Sequence, residues 1–158
     1  MIITKIDLPS DILPCLQVAT KLPDSFTESA FIPMEHALKT NEVLVAKESE
    51  LVLGFIATQN KNADQEEIEW LAVLPDKQGM GIGTALVKRV HQEAKVHGIK
   101  SVMVKTLAET DETKDVLEYY KTRRFYENLG YRLQEVIDPY LPWDGGNPCA
   151  VYVFNLVD

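Results

Sequence analysis

A chain of 158 residues, 46% hydrophobic and 25% charged, has the size and balance of one folded domain and not of a disordered or membrane-spanning chain. Its net charge of −8 disfavours nonspecific nucleic-acid binding and favours a cationic substrate. No apolar run approaches the roughly 20 residues of a membrane span, and MIITKIDLPS lacks the apolar core of a signal peptide, so a cytoplasmic location is expected.

In chain order, MIITKI reads as a strand and DILPCLQVAT as a helix capped by Ser10. A second helix is expected through ESAFIPMEHALK, with Pro33 as a residue that can cut it short. NEVLVAKE and ELVLGFIATQ are apolar, β-branched runs around a charged turn at Ser49 and Glu50, which predicts an antiparallel hairpin. After the polar loop NKNADQ comes EEIEWLAVL, a strand stopped by Pro75. From Gly81 to His97 the residues Ile82, Ala85, Leu86, Val90 and Ala94 follow helical spacing, with Gly98 as the stop.

SVMVKTL is the next strand, followed by a helix from about Thr113 to Gly130 and by the strands YRLQEVI and AVYVFNLV around the loop DPYLPWDGGNPC. This order predicts an α/β fold with a mixed sheet and helices on both faces, because the two helical crossovers must join parallel strands. Attention then falls on the strand ends near residues 74 and 107. Cys15 and Cys149 show no metal or redox spacing and are expected as reduced, buried thiols. No metal-ligand cluster is present in the sequence, His91 and His97 are expected to be solvated, and His36, a lone histidine in the acceptor-side segment, is expected to be structural.

The stretch Gln78-Gly79-Met80-Gly81-Ile82-Gly83-Thr84 joins a strand to a helix start. Helix-terminal N–H groups without internal partners, together with the helix dipole, make such a turn an anion site. The phosphate-bearing ligand is not a dinucleotide by the Rossmann pattern, which needs glycine where Thr84 stands, and there is no Walker A ending. Glycines serving only close helix-to-sheet packing are the plain alternative.

Gln78-x-x-Gly81-x-Gly83 after Leu71-Ala72-Val73-Leu74-Pro75 resembles the pyrophosphate motif of the GNAT superfamily of N-acetyltransferases, and Arg124-Phe125-Tyr126-Glu127-Asn128-Leu129-Gly130-Tyr131 resembles that family's later helix end. The resemblance runs from about residue 41 to the end and more loosely over the first 40. It implies a central mixed, mostly antiparallel sheet of about seven strands in a single domain. It implies acetyl-CoA as acyl donor, held by main-chain N–H groups of Gly79, Met80, Gly81, Ile82, Gly83 and Thr84, with Gln78 in the motif, and by the main chain of Leu71, Ala72 and Val73 in strand fashion. Lys77, Lys88 and Arg124 are candidate cations for the phosphates. Where many members carry an asparagine that contacts the cofactor, this chain has Tyr119.

Acyl transfer to an amine of pKa about 10.4 needs a base to free the nucleophile. Glu67 and Glu69, two apart on one strand, are expected on one face with Ile68 and Trp70 on the other. Both match positions where family members that resemble this chain carry a base. Glu69 is favoured as nearer the cofactor end, with Glu67 as relay or alternative, and a solvated acidic edge that includes Glu66 is the competing explanation. Tyr126 resembles the family tyrosine that protonates the departing thiolate.

The acceptor wall is expected from residues 20 to 40 and 138 to 149, among them Phe26, Phe31, Met34, His36, Tyr140, Trp143 and Asp144. The expected activity is N-acetylation of a primary amine, small-molecule or peptide, by direct attack in a ternary complex, with no metal, nucleic acid or membrane involved. An inactive acyl-CoA-binding regulatory module, an O-acyl or longer-chain transferase, and monomer against homodimer stay open.

Overall fold

The computed structural model describes residues 1–157, apart from the side chain of Asp144. The elements are β1 (Ile2–Lys5), α1 (Ile12–Thr20), α2 (Phe31–Thr40), β2 (Glu42–Glu48), β3 (Leu51–Asn60), β4 (Gln65–Val73), α3 (Ile82–Val96), β5 (Ser101–Leu107), α4 (Leu117–Asn128), β6 (Arg132–Ile137) and β7 (Cys149–Asn155). The strands form one seven-stranded sheet in the order β1-β2-β3-β4-β5-β7-β6. Only β4 and β5, joined by the α3 crossover, pair in parallel; every other neighbouring pair is antiparallel.

One topological expectation fails. The α4 crossover leads from β5 to β6 in the same direction, but β7 lies between them and pairs antiparallel with both. Cys149 to Tyr152 of β7 are buried and so suit a central strand, whereas β6 is exposed nearly throughout and its charged residues suit an edge.

Helices cover both faces of the sheet. The helix α3 packs on β2, β3 and β4, and α4 on β5, while α1 lies on β3, β4 and α2. The core is centred on Phe55, Ile56, Met34, Leu38, Leu86 and Val102, and each such side chain contributes about 1.5–3 kcal/mol by leaving water. Cys15 and Cys149 are both free and buried, as expected.

Three element boundaries differ from the sequence expectation for local reasons. Ser10 does not cap α1: its hydroxyl bonds Asp7, and the residue at the cap, Asp11, turns its carboxylate to the N–H of Asp7 and to Lys47. Pro33 does not shorten α2, because it sits in the first turn, where its missing N–H has no intrahelical acceptor to lose. The helix α4 begins at Leu117 and not near Thr113, whose hydroxyl bonds the carbonyl of Ala108 at 2.8 Å and so holds a turn in competition with the helix.

Candidate active site

The ladder between β4 and β5 runs only from Gln65↔Ser101 to Ile68↔Val104. Beyond it, Lys105 to Leu107 pair with β7 alone, and Trp70 to Val73 with β3 alone. The cause lies in β4: Ala57 pairs with Trp70 and the next residue, Thr58, with Ile68, so Glu69 is the extra residue of a bulge. A bulge bends its strand, and Gly54 lets the bent strand press onto β3; a β-carbon there would lie 2.6 Å from the Ala72 carbonyl oxygen. One edge of β4 from Glu69 onward therefore faces no strand.

This parting opens into a cleft of about 990 Å³ lined by Glu67 to Val73 on one side and Val104 to Leu107 on the other. Toward the carboxyl end of β4 it reaches the glycine turn. Gly79 and Gly81 have φ of +79° and +85°, conformations that favour glycine, and nothing lies within 4 Å of a β-carbon built on either. Gly83 differs: its β-carbon would meet the Phe125 ring at 3.3 Å. The packing explanation thus holds for Gly83, and backbone conformation explains the other two.

The first intrahelical bond of α3 joins the N–H of Ala85 to the carbonyl of Gly81 at 2.9 Å, so the N–H groups of Ile82, Gly83 and Thr84 precede the ladder. No side chain caps them and no acidic residue occupies the first turn. The resulting positive end suits an anion. Gln78 braces the turn, its amide donating to the Val73 carbonyl at 3.1 Å.

Most of the residues singled out in the sequence border this cleft. Lys77, Gln78, Gly79, Gly81, Ile82, Gly83 and Thr84 line its glycine end; Tyr119, Phe125 and Tyr126 come from α4. Met80 does not line it and is 67% exposed. Lys88 and Arg124 are exposed and also absent from the lining, whereas Lys121 is present. Phe26, Tyr140 and Trp143 line the far end. Met34 is buried in the core, Phe31 packs on it, and the exposed His36 borders a second cleft beside α2. The Asp144 side chain lies outside the described set.

Glu67 and Glu69 both reach the cleft, but their surroundings differ. Glu67 is buried, and its Oε1 lies 2.9 Å from Lys61 Nζ and 3.4 Å from Lys105 Nζ. Glu69 carries no ion pair among the described residues; its Oε2 accepts from Asn41 Nδ2 at 3.0 Å. Trp70 does not oppose Glu69 as strict alternation requires: both border the cleft beside α2, and Trp70 meets Phe26 edge to face at 6.0 Å. The bulge accounts for the change of side. Glu66 is half-buried, hydrogen-bonds Thr58 and is raised in pKa mainly by that burial, so the idea of one solvated acidic edge does not hold.

Tyr126 is 4% exposed, and burial pushes its phenol well above the ordinary value, so it keeps its proton. Its hydroxyl makes no hydrogen bond to protein among the described residues. Behind it, Tyr131 bonds His91 at 2.7 Å, and His91 stacks on Phe154 with centroids 4.2 Å apart. His91 is thus not solvated as expected. Burial, helped by Lys95, lowers its pKa to about 4, so the ring that meets Tyr131 is neutral. His97 is exposed.

Sequence reasoning missed Lys105, Asn41 and Arg123. Burial works against the charge on Lys105, but Tyr140 and Glu67 outweigh it and leave its pKa raised. Its position in the alternating strand SVMVKTL, a lone cation among apolar residues, was the available signal. Arg123 is buried with one guanidinium nitrogen unpartnered, the other donating to the Leu107 carbonyl at 3.4 Å. Among the described residues no cluster suits a metal ion, and no helix is long and apolar enough to cross a membrane.

Comparison with known proteins follows the same lines. Residues 39–133 match the family model of the acetyltransferase (GNAT) domain. No curated protein matches the sequence. Among solved structures, a GNAT-family protein from Desulfovibrio desulfuricans superposes with a TM-score of 0.85 at 20% identity, over 99% of each chain. A GNAT acetyltransferase from Elizabethkingia anophelis with acetyl-CoA bound gives 0.69 at 19% identity, over 98% of this chain and 97% of that one. The ribosomal-protein-S18-alanine N-acetyltransferase of Escherichia coli gives 0.74 at 17%, over 99% and 94%. At these identities the likeness establishes the fold.

Proposed function

Because the chain belongs to the GNAT family of acetyltransferases, we propose that it transfers an acetyl group from acetyl-CoA to a primary amine, small or peptide-borne, by direct attack in a ternary complex. The observation that carries this is the parting of β4 from β5 at Glu69, beside a glycine turn with free helix N–H groups.

The residues fit the donor. An unpaired strand edge accepts an extended amide-bearing arm as an added strand, which supports a holding role for the main chain of Leu71, Ala72 and Val73. The open glycine turn suits phosphates, with the N–H groups of Gly79 to Thr84 as donors and Lys77 and Lys121 as nearby cations in an acidic protein. Tyr119 lines the same cleft. Acetyl-CoA, when bound, supplies the acyl group as an activated thioester.

Glu69 is the base in this reading. Its carboxylate faces the cleft with a neutral amide as partner, free to take a proton from an amine directly or through one water. Glu67, shared between two ammonium groups, holds Lys105 in place instead. Tyr126 keeps a proton on its hydroxyl at the buried end of the cleft and presents it to a departing thiolate.

Calorimetric titration with CoA and acetyl-CoA tests the donor: saturable binding is expected, and its absence at millimolar ligand overturns the reading. A broad amine panel followed by free-thiol release tests the transfer. Binding without thiol release above the hydrolysis background would instead favour an acyl-CoA-binding module.

A further inference from the structure

Building on the cleft as the acceptor site of a transferase, we infer that the acceptor is an amino carboxylate, its amine facing Glu69 and its carboxylate held by Lys105. The starting point is a mismatch of charge. A single carboxylate oxygen, Oε1 of Glu67, lies within reach of two ammonium groups, Lys61 at 2.9 Å and Lys105 at 3.4 Å. Lys61 alone neutralises Glu67. Lys105 is therefore a second cation, its side chain 22% exposed, held half-buried at the cleft wall by a chain whose net charge is −8. Placing an ammonium out of water is unfavourable unless an anion meets it, and the protein's own anion there is already matched.

Lys105 lines the cleft while Lys61 does not. An ammonium has three N–H donors; the described acceptors near this one are Glu67 and Tyr140, whose ring centroid is 5.4 Å from Nζ. At least one donor remains for a ligand. On the facing strand β4, Glu69 presents the opposite charge to the same cleft, with Asn41 as partner and no ion pair among the described residues. Separated negative and positive groups in one cleft complement a zwitterion. The aromatic pairs Phe26–Trp70 and Tyr140–Trp143 flank the cleft and suit an apolar side chain between them.

The same chemistry has two sources, a free amino acid or a peptide amino terminus next to an acidic residue. The test measures thiol release with phenylalanine, phenylalanine amide and phenethylamine, and with short peptides with and without an acidic second residue. Wild type, Lys105→Met and Lys105→Arg are compared. In the wild type kcat/KM should fall about tenfold or more when the carboxylate is removed, the loss expected for a charged hydrogen bond. That difference should vanish in Lys105→Met and largely survive in Lys105→Arg, with acetyl-CoA affinity equal in all three. Lys105→Met leaves Glu67 paired with Lys61 and so folds, which its thermal midpoint verifies.

A preference for phenylalanine over the acidic peptides, or the reverse, names the source. Equal or faster turnover of phenethylamine in the wild type overturns the inference, as does a uniform loss for all acceptors in Lys105→Met. Acetyl-CoA binding with no thiol release for any amine is a different failure, that of the transferase reading itself, and the inference falls with it.

Discussion

The main-chain N–H of Tyr131 donates to the carbonyl of Tyr126 at 3.0 Å, while their rings meet edge to face at 5.3 Å. With the N–H of Gly130 bonded to Glu127 and Gly130 at a φ of +99°, this is a Schellman end, in which the residue after the left-handed glycine folds back on the last turn. The helix end of RRFYENLGY thereby fixes the depth and direction of the tyrosine assigned to the reaction.

Gly130 should therefore tolerate no side chain. Alanine there meets both an unfavourable φ and the Phe154 ring, 3.0 Å from the new β-carbon. The expected loss is roughly 1–3 kcal/mol of unfolding free energy in urea, with a fall in kcat larger than any change in KM for acetyl-CoA.

Glu69→Gln and Glu67→Gln should separate in kind. The first removes the proposed base and should lower kcat by about 10²–10⁴ with stability unchanged. The second leaves Lys61 and Lys105 without their shared anion and should cost roughly 1–3 kcal/mol of stability. Thiol-release kinetics and denaturant melts on both variants decide it; a Glu67→Gln enzyme that is stable yet inactive would reverse the two roles.

Tyr126→Phe should reduce kcat about 10–100-fold while CoA affinity stays within a factor of two. Because burial raises the phenol above its ordinary 10.0, the wild-type rate should show no alkaline loss from this group up to that pH. A pH profile of kcat with a saturating amine, taken alongside the variant, tests both statements.

His91 gives a stability signature in acid. Burial lowers its pKa from 6.5 to about 4 in the folded protein, so the unfolded chain takes up the proton first as pH falls. Its contribution is complete above pH 6.5 and is lost progressively down to about pH 4, for at most roughly 2–3 kcal/mol. His91→Phe keeps the stack on Phe154 but cannot hydrogen-bond Tyr131 or titrate, and should flatten this part of the stability–pH curve.

What the sequence determined by itself was local. Periods of two and near four residues announced the strands and helices, glycines announced the turn at 79–83 and the end of α4, and the two motifs brought Tyr126 and the glycine turn into one family frame. These features depend on neighbours a few residues away, where backbone preference and capping act.

Tertiary pairing decided the rest. Chain order suggested that β6 follows β5 in the sheet, although the charges of YRLQEVI suit an edge and the apolar run AVYVFNLV a centre; burial of β7 between its two neighbours decides for the second. The bulge at Glu69 exists only against β3, yet it opens the cleft and brings Trp70 round to the side of Glu69. Lys105 reads as one charge in an apolar strand until Lys61 and Glu67, 44 and 38 positions before it, are folded against it. Charge balance in a buried site is a sum over distant parts of the chain, so it is fixed only when the sheet has brought them together.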